Sequence, residues 1–309
     1  MRDLSCALAV ACTVACAVAC AVAAGKRRPL PRAVGESTGF AMATCVRKPL
    51  EFDTWLRHHF RLGAACIFLR VEDSPEVGAT IGALPPGLAR RVVATYASTA
   101  AGRTQWWELQ ERQAAFFRDA VRACCARHPQ IGWIFQNIDD DELLYTHGSD
   151  MIRLLDGVPA TCDACFFPTV EAVFPKSTPD ETRVFRTNAF VRCDGRRLCT
   201  SYYGGKSAGR LRPDLRSDGP HRVRARRGTH AFDDSVACVL HFESANYRRW
   251  RTKFERLRVR DGARAIPEGF DFYNESVARA RAPDGFAYYQ RKKETATGAD
   301  ADLARVHIR

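Results

Sequence analysis

From Phe40 to Val46 the chain is a short, mostly apolar run that stops at Arg47-Lys48-Pro49, the pattern of a buried strand. Glu51 to Leu62 follows with Phe52, Trp55, Leu56, Phe60 and Leu62 near helical spacing, and Gly63 stands where a helix end favours positive φ. Ala64 to Val71 predicts a second strand closing on Glu72-Asp73-Ser74-Pro75, and Arg91 to Ala97 a third. A long helix is expected over Gln105 to Arg127, ended by His128-Pro129. Ile131 to Ile138 is the fourth strand. Strands separated by helices in this order predict an α/β fold with a mostly parallel, Rossmann-type sheet and right-handed crossovers.

Beyond residue 160 the pattern loosens. Ala164–Phe174, Val184–Val191, Leu198–Tyr203 and Val236–Phe242 are strand-like, and Asn246–Arg258 is a basic amphipathic helix. Gly204 to Gly228 holds five Gly and eight Lys or Arg and is expected to be a long basic loop. From Lys292 onward the chain is expected to fray. No repeat or second domain is visible, so 41–290 is expected to form one domain, with 291–309 a tail.

The N-terminus has a different character. Leu4 to Ala24 is Ala, Val, Leu and Cys with one Ser and one Thr, flanked by Arg2-Asp3 and Gly25-Lys26-Arg27-Arg28. About 20 apolar residues can span a bilayer, and small residues near its end suit signal cleavage. Residues 1–25 are therefore expected to be a signal peptide or a membrane anchor, and 26–40 a stem. The expected address is the secretory pathway: Golgi membrane or lumen, or secretion. Four of the 13 Cys lie in the leader. The other nine (Cys45, Cys66, Cys124, Cys125, Cys162, Cys165, Cys193, Cys199, Cys238) are an odd number, so one at least has no intramolecular partner. Disulfides or buried thiols are expected over a zinc site at Cys162, Cys165, Cys193 and Cys199, whose spacings are unequal.

Across 309 residues, 46% hydrophobic and 27% charged, the composition is that of a globular protein. The net charge of +12 suits a phosphate-bearing ligand, an acidic polymer or an anionic membrane. The basic residues are scattered and form no recognised nucleic-acid module, so no nucleic-acid partner is expected.

The fourth strand carries the sharpest chemistry. Ile131–Ile138 runs directly into Asp139-Asp140-Asp141-Glu142. Four adjacent carboxylates at a buried strand end need a counter-charge, and a hard divalent cation, Mn²⁺ or Mg²⁺, supplies one while leaving positions for phosphate. An acidic solvated turn or helix start is the plainer alternative. On an extended backbone Asp139 and Asp141 would face one way and Asp140 the other.

Several segments, in order, resemble glycosyltransferase family 92 and its family 2-like relatives. They are Thr44-Cys45-Val46-Arg47-Lys48; Trp55-Leu56-Arg57-His58-His59 with Leu62-Gly63-Ala64; Phe68 to Ser74; Ile134 to Leu143; Gly205-Lys206-Ser207; Gly219-Pro220-His221; and Leu240-His241-Phe242-Glu243-Ser244 with Lys253-Phe254. Asn137 departs from the family's pattern, standing where an apolar residue is usual. So does the second strand, which lacks the small polar run after its Asp.

The resemblance implies a GT-A glycosyltransferase, a hexosyltransferase with an Asp-x-Asp motif. It would take a nucleotide-sugar donor and a glycan or glycoconjugate acceptor. Asp139, Asp141 and His221 become the metal candidates, and Thr44, Arg47, Asp73, Asp139 and Lys206 the donor-binding candidates. For inversion a carboxylate must take the acceptor proton, and Glu171 or Asp163 is the candidate base. His241, His58, His59, Trp106 and Trp107 are expected to pack. A metal-dependent phosphotransferase or nuclease, with Asp233-Asp234 as second carboxylate pair, and a non-catalytic glycan-binding module are the competing readings. Asn274-Glu275-Ser276 is an N-glycosylation sequon.

Overall fold

A computed structural model describes residues 39–98, 106–174, 178–192, 204–256, 271–296 and 304–305. The chain divides into Met1–Glu36, outside the described residues, and Ser37–Arg309. The elements begin β1 (Phe40–Val46), α1 (Phe52–Arg61), β2 (Ala64–Glu72), α2 (Val77–Gly82), α3 (Pro86–Ala89), β3 (Val92–Ala97), α4 (Trp106–Arg127) and β4 (Trp133–Gln136). Then come β5 (Glu142–Thr146), α5 (Met151–Asp156), β6 (Ala164–Phe167), β7 (Thr169–Ala172), β8 (Ala189–Arg192), β9 (Lys206–Arg210), β10 (Ser217–Asp218), β11 (Arg222–Val223) and β12 (Thr229–Ala231). The chain closes with β13 (Ala237–His241), α6 (Tyr247–Arg256), α7 (Asp271–Arg279), α8 (Gly285–Ala296) and β14 (Ala304–Arg305).

The main sheet runs β12-β6-β9-β4-β1-β2-β3. β1 is parallel to both neighbours, β2 to β3 and β6 to β12, and β9 alone of the described strands runs against the rest. This is the expected α/β fold with a largely parallel central sheet flanked by helices. A parallel strand covered on both faces needs apolar residues on both. Accordingly Phe40, Met42 and Val46 share a core with Trp55 and Leu56 of α1, and Ala41 and Ala43 share another with Phe117 and Val121 of α4.

Four expectations change. Ala164–Phe174 is two strands broken at Pro168, which has no N–H to give a ladder: β6 stays in the main sheet and β7 joins a second one, β14-β8-β7-β13-β5. The segment expected to be a basic loop instead opens with β9, buried between β4 and β6. Its glycines mark close approach: a Cβ on Gly205, at φ +49°, would stand 2.3 Å from the Phe167 carbonyl. Among the described residues of the expected tail, Ala304–Arg305 form β14 against β8, and α8 runs past Lys292 to Ala296. α8 packs with α6 and α7 around Trp250, Phe254, Tyr273, Tyr288 and Tyr289. The strand Val184–Val191 shortens to β8, which starts at Ala189. Leu198–Tyr203, Cys193, Cys199, the leader and the side chains of Trp106 and Trp107 lie outside the described residues.

Among the described residues Cys45, Cys66, Cys124, Cys125, Cys162, Cys165 and Cys238 are free thiols, and burial pushes Cys66 up to about 11 and Cys238 to about 12. No described helix is long and apolar enough to cross a membrane.

Candidate functional site

β4 ends at Gln136, and Asn137 takes a left-handed backbone at φ 46°. The chain then folds back: the Glu142 N–H donates to the Asp139 carbonyl at 3.0 Å, and the Asp139 N–H to the Glu142 carboxylate at 2.8 Å. The acidic run is thus a tight turn into β5, not an extended strand end. That overturns the expected alternation. A turn brings its first and last residues together, so Asp139 pairs in space with Glu142, and Asp140 with Asp141.

α1 fixes this turn from below. Trp55 Nε1 donates to the carbonyls of Asp139 and Glu142 at 2.9 and 2.8 Å. His58 Nε2 bonds the Leu144 carbonyl at 2.7 Å, and His59 Nε2 accepts the Leu144 N–H at 3.2 Å while its Nδ1 donates to the Trp55 carbonyl. Both imidazoles pack, as expected, and burial lowers the pKa of each.

The protein supplies much of the counter-charge itself. Lys206, buried at the start of β9, lies 2.8 Å from Asp139 and 2.9 Å from Glu142, and also donates to the Asn137 carbonyl. It is an internal counter-ion rather than the loop cation expected to await a phosphate. Arg249 of α6 grips Asp140 at 2.9 and 3.1 Å and Asp141 at 3.0 Å. Burial and neighbouring carboxylates raise Asp140 against the pull of Arg249. Burial likewise raises Glu142, against Lys206 and with Asp139. Asp141 goes the other way: burial would raise it, but Arg249, then His241 and Lys253, hold it well below the usual range.

The Phe242 N–H donates to the Asp141 carbonyl at 2.8 Å, which draws the end of β13 alongside the turn. One ligand atom each from Asp141, His241 and Glu243 then lie within 4.8 Å of one another, all three residues buried. Glu243 also meets Lys253 at 2.5 Å and Tyr273 at 3.3 Å; burial would raise it, but Lys253 and His241 bring it to about 2. Two carboxylates and an imidazole suit Mn²⁺ better than an all-oxygen site would. Carboxylates crowd this corner: Asp139, Asp140, Asp141, Glu142 and Glu243 all lie against the cations Lys206, Arg249 and Lys253.

Of the expected metal residues, then, only Asp141 belongs to this trio. Asp139, more exposed, lies beside it on Lys206. His221 bonds the Gly205 carbonyl through Nδ1 at 3.2 Å; burial first, then Lys206, lower its pKa to about 3. Glu171 is closely placed: β13 pairs it with His241, and His241 with Glu142, so the three share one face of the second sheet. Asp163 is not. It accepts the N–H groups of Arg226 and Arg227 at 3.0 to 3.2 Å and pairs with Arg212 at 2.8 Å. Burial would raise it, but those donors keep its pKa low. Asp163 anchors a loop.

The remaining donor-site candidates gather at the carboxyl ends of neighbouring strands. Arg47 pairs with Asp73 at 3.0 Å across the ends of β1 and β2. Thr44 Oγ1, Arg47 Nε and both side-chain polar atoms of Asn137 are buried without a hydrogen-bond partner. Such orphaned groups are costly and are expected where a ligand completes them. Asp233 caps its own turn through the Ser235 N–H at 2.8 Å and is outside the trio. A cleft of about 370 Å³ lined by Pro49, Arg57, Glu76 and Thr80 contains none of the expected site residues.

Sequence reading quoted Glu243 and Lys253 only within the family-like block and gave them no role. It did not single out Arg249, and it expected His241 to pack; His241 is buried. One signal was present: His241 and Glu243 alternate at the end of an apolar strand, the spacing used for Asp139 and Asp141.

No protein-family model matches the chain, and no curated protein matches it in sequence. Among solved structures, the mannosyltransferase PcManGT from Pyrobaculum calidifontis, in complex with GDP-Man and Mn²⁺, is similar at 11% identity. The match covers 94% of this chain and 85% of that one, with a TM-score of 0.34. At that level of superposition the likeness assigns neither substrate nor residue.

Proposed function

We propose that the chain is a metal-dependent glycosyltransferase of the GT-A kind, related to family 92, that moves a hexose from a nucleotide-sugar donor to a glycan or glycoconjugate acceptor. The observation that carries this reading is the buried Asp141–His241–Glu243 trio beside the four-carboxylate turn, at the carboxyl ends of parallel strands, where α/β sheets bind ligands. The unpaired polar atoms of Thr44 and Asn137 and the Arg47–Asp73 pair at the adjoining strand ends support a nucleotide there.

Asp141, His241 and Glu243 would hold the divalent cation, which when bound supplies charge stabilisation to a departing nucleoside diphosphate. Lys206 fixes Asp139 and Glu142, so the turn keeps its shape as charge builds nearby. Glu171, in register with His241, is the candidate base that takes the acceptor proton with inversion at the anomeric carbon. The compartment that fits is the secretory pathway, entered through the apolar leader. A nuclease or phosphotransferase built on two metals has less support, because Asp233 and Asp234 stand outside the trio.

The test is a screen of nucleotide sugars for Mn²⁺-dependent donor hydrolysis. At least one donor should be hydrolysed, and Asp141→Asn should remove both hydrolysis and Mn²⁺ binding while the far-UV spectrum is unchanged. Equal Mn²⁺ affinity in the variant would end the metal assignment. Mn²⁺ binding with no hydrolysis of any donor would favour a glycan-binding module.

A further inference from the structure

α6 carries two cations one turn apart, Arg249 and Lys253, and i,i+4 spacing puts both on one face. That face meets the trio. Arg249 holds Asp141 at 3.0 Å with its other N–H groups on Asp140, and Lys253 holds Glu243 at 2.5 Å. The helix is firmly seated: Asn246 Oδ1 accepts the Arg249 N–H at 2.8 Å, and Trp250 and Phe254 are buried in the C-terminal aromatic core. The cations form the outer layer. Their side chains are 15% and 30% exposed, against 8% for Asp141 and 1% for Glu243. Neither cation sits on the same carboxylate as Lys206, which serves the other half of the turn.

Two of the three candidate metal ligands are therefore each held by a cation from a single helix. A divalent ion on the trio would neutralise Asp141 and Glu243, which would then no longer need Arg249 and Lys253. Two basic heads beside that ion would then face repulsion unless an anion joined them. Resting on the glycosyltransferase reading above, we infer that Arg249 and Lys253 are a diphosphate-binding pair. They neutralise Asp141 and Glu243 before the cation arrives, and turn their N–H donors to the diphosphate oxygens of the donor once it has. A guanidinium offers two parallel donors to a phosphate, and an ammonium offers a compact charge. Asp140 gives Arg249 a fixed partner through the exchange.

The two roles have opposite signs, which makes them testable by calorimetry on the full chain, with Mn²⁺ alone and then inorganic pyrophosphate added to Mn²⁺-saturated protein. Arg249→Met and Lys253→Met should each bind Mn²⁺ more tightly and pyrophosphate less tightly, by roughly tenfold in each direction, as expected for charge-assisted contacts. Arg249→Lys keeps the charge and loses the fork, so its Mn²⁺ affinity should stay near that of the parent while pyrophosphate binding falls. If Arg249→Met fails to fold, judged by circular dichroism, Arg249→Lys and Lys253→Met carry the same comparison. Affinities that move together, or do not move, would assign both residues to structure and overturn the inference. A parent chain that binds no Mn²⁺ would instead remove the metal reading on which it rests.

Discussion

Asp163 and Glu171 show how much a carboxylate's role depends on what surrounds it. Both are buried, yet Asp163 is enclosed by backbone N–H groups and Arg212, whereas Glu171 lies in register with His241. Asp163→Asn should lower stability by about 1.5–3 kcal/mol, the worth of hydrogen bonds to a charged group, measured by urea unfolding, with the donor turnover of the remaining folded protein unchanged. Glu171→Gln should do the reverse: turnover falls about 10²-fold or more, as loss of a general base does, with donor affinity preserved. Equal turnover in Glu171→Gln and the parent would make Glu171 structural. The paired histidines of α1 predict a pH effect. His58 and His59 are buried with pKa values lowered below 6.5, chiefly by burial, so below pH 6.5 the unfolded chain binds more protons than the folded one. Their stabilisation is whole above that pH and is lost as pH falls. The thermal midpoint should therefore drop between pH 7.5 and 5.5, with a shallower slope in His59→Gln. A flat profile would contradict the buried neutral pair.

At the level of elements, the site is assembled by contacts between strand ends and by one reversed strand. β9 runs antiparallel between β4 and β6 and delivers Lys206 beneath the acidic turn. Its entry depends on Gly205, whose φ of +49° and contact with the Phe167 carbonyl exclude a side chain. Gly205→Ala should destabilise by about 1–2 kcal/mol for the left-handed backbone and about 1–3 kcal/mol more for overpacking, measured by denaturant midpoint. Unaltered stability would mean that β9 can re-enter the sheet by another path. The first four strands and the helices α1 and α4 were legible because buried parallel strands are apolar runs and an amphipathic helix repeats every 3.6 residues. β9 was not. Its Gly-rich, Arg-rich composition imitates a loop, and the glycines serve close packing that local pattern does not encode.

At the scale of the whole molecule, the C-terminal helices close the site from a core of their own, and this bears on the sequon. Asn274 lies in α7, and the Ser276 hydroxyl is buried against Trp250 Nε1 at 3.0 Å. If the apolar leader directs secretory entry, Asn274 is open to glycosylation only before α7 packs. Expressed in secretory cells, the protein should show partial occupancy, seen as an endoglycosidase-sensitive band lost in Asn274→Gln. Confinement of the chain to the cytosol would sink the secretory proposal. The sequence by itself determined the parallel core, the strand that leads into Asp139–Glu142, and the packing of the Trp55-His58-His59 segment, because burial writes a local period into the chain. Only the tertiary structure decided which charges meet. The turn after Asn137 sorted the carboxylates into 139 with 142 and 140 with 141. Chain reversal brought His241 and Glu243 about a hundred residues back to Asp141, and α6 set Arg249 and Lys253 against them. Ion pairing acts through space over a few ångströms, and a fold sets those distances by strand order and register that no local spacing records.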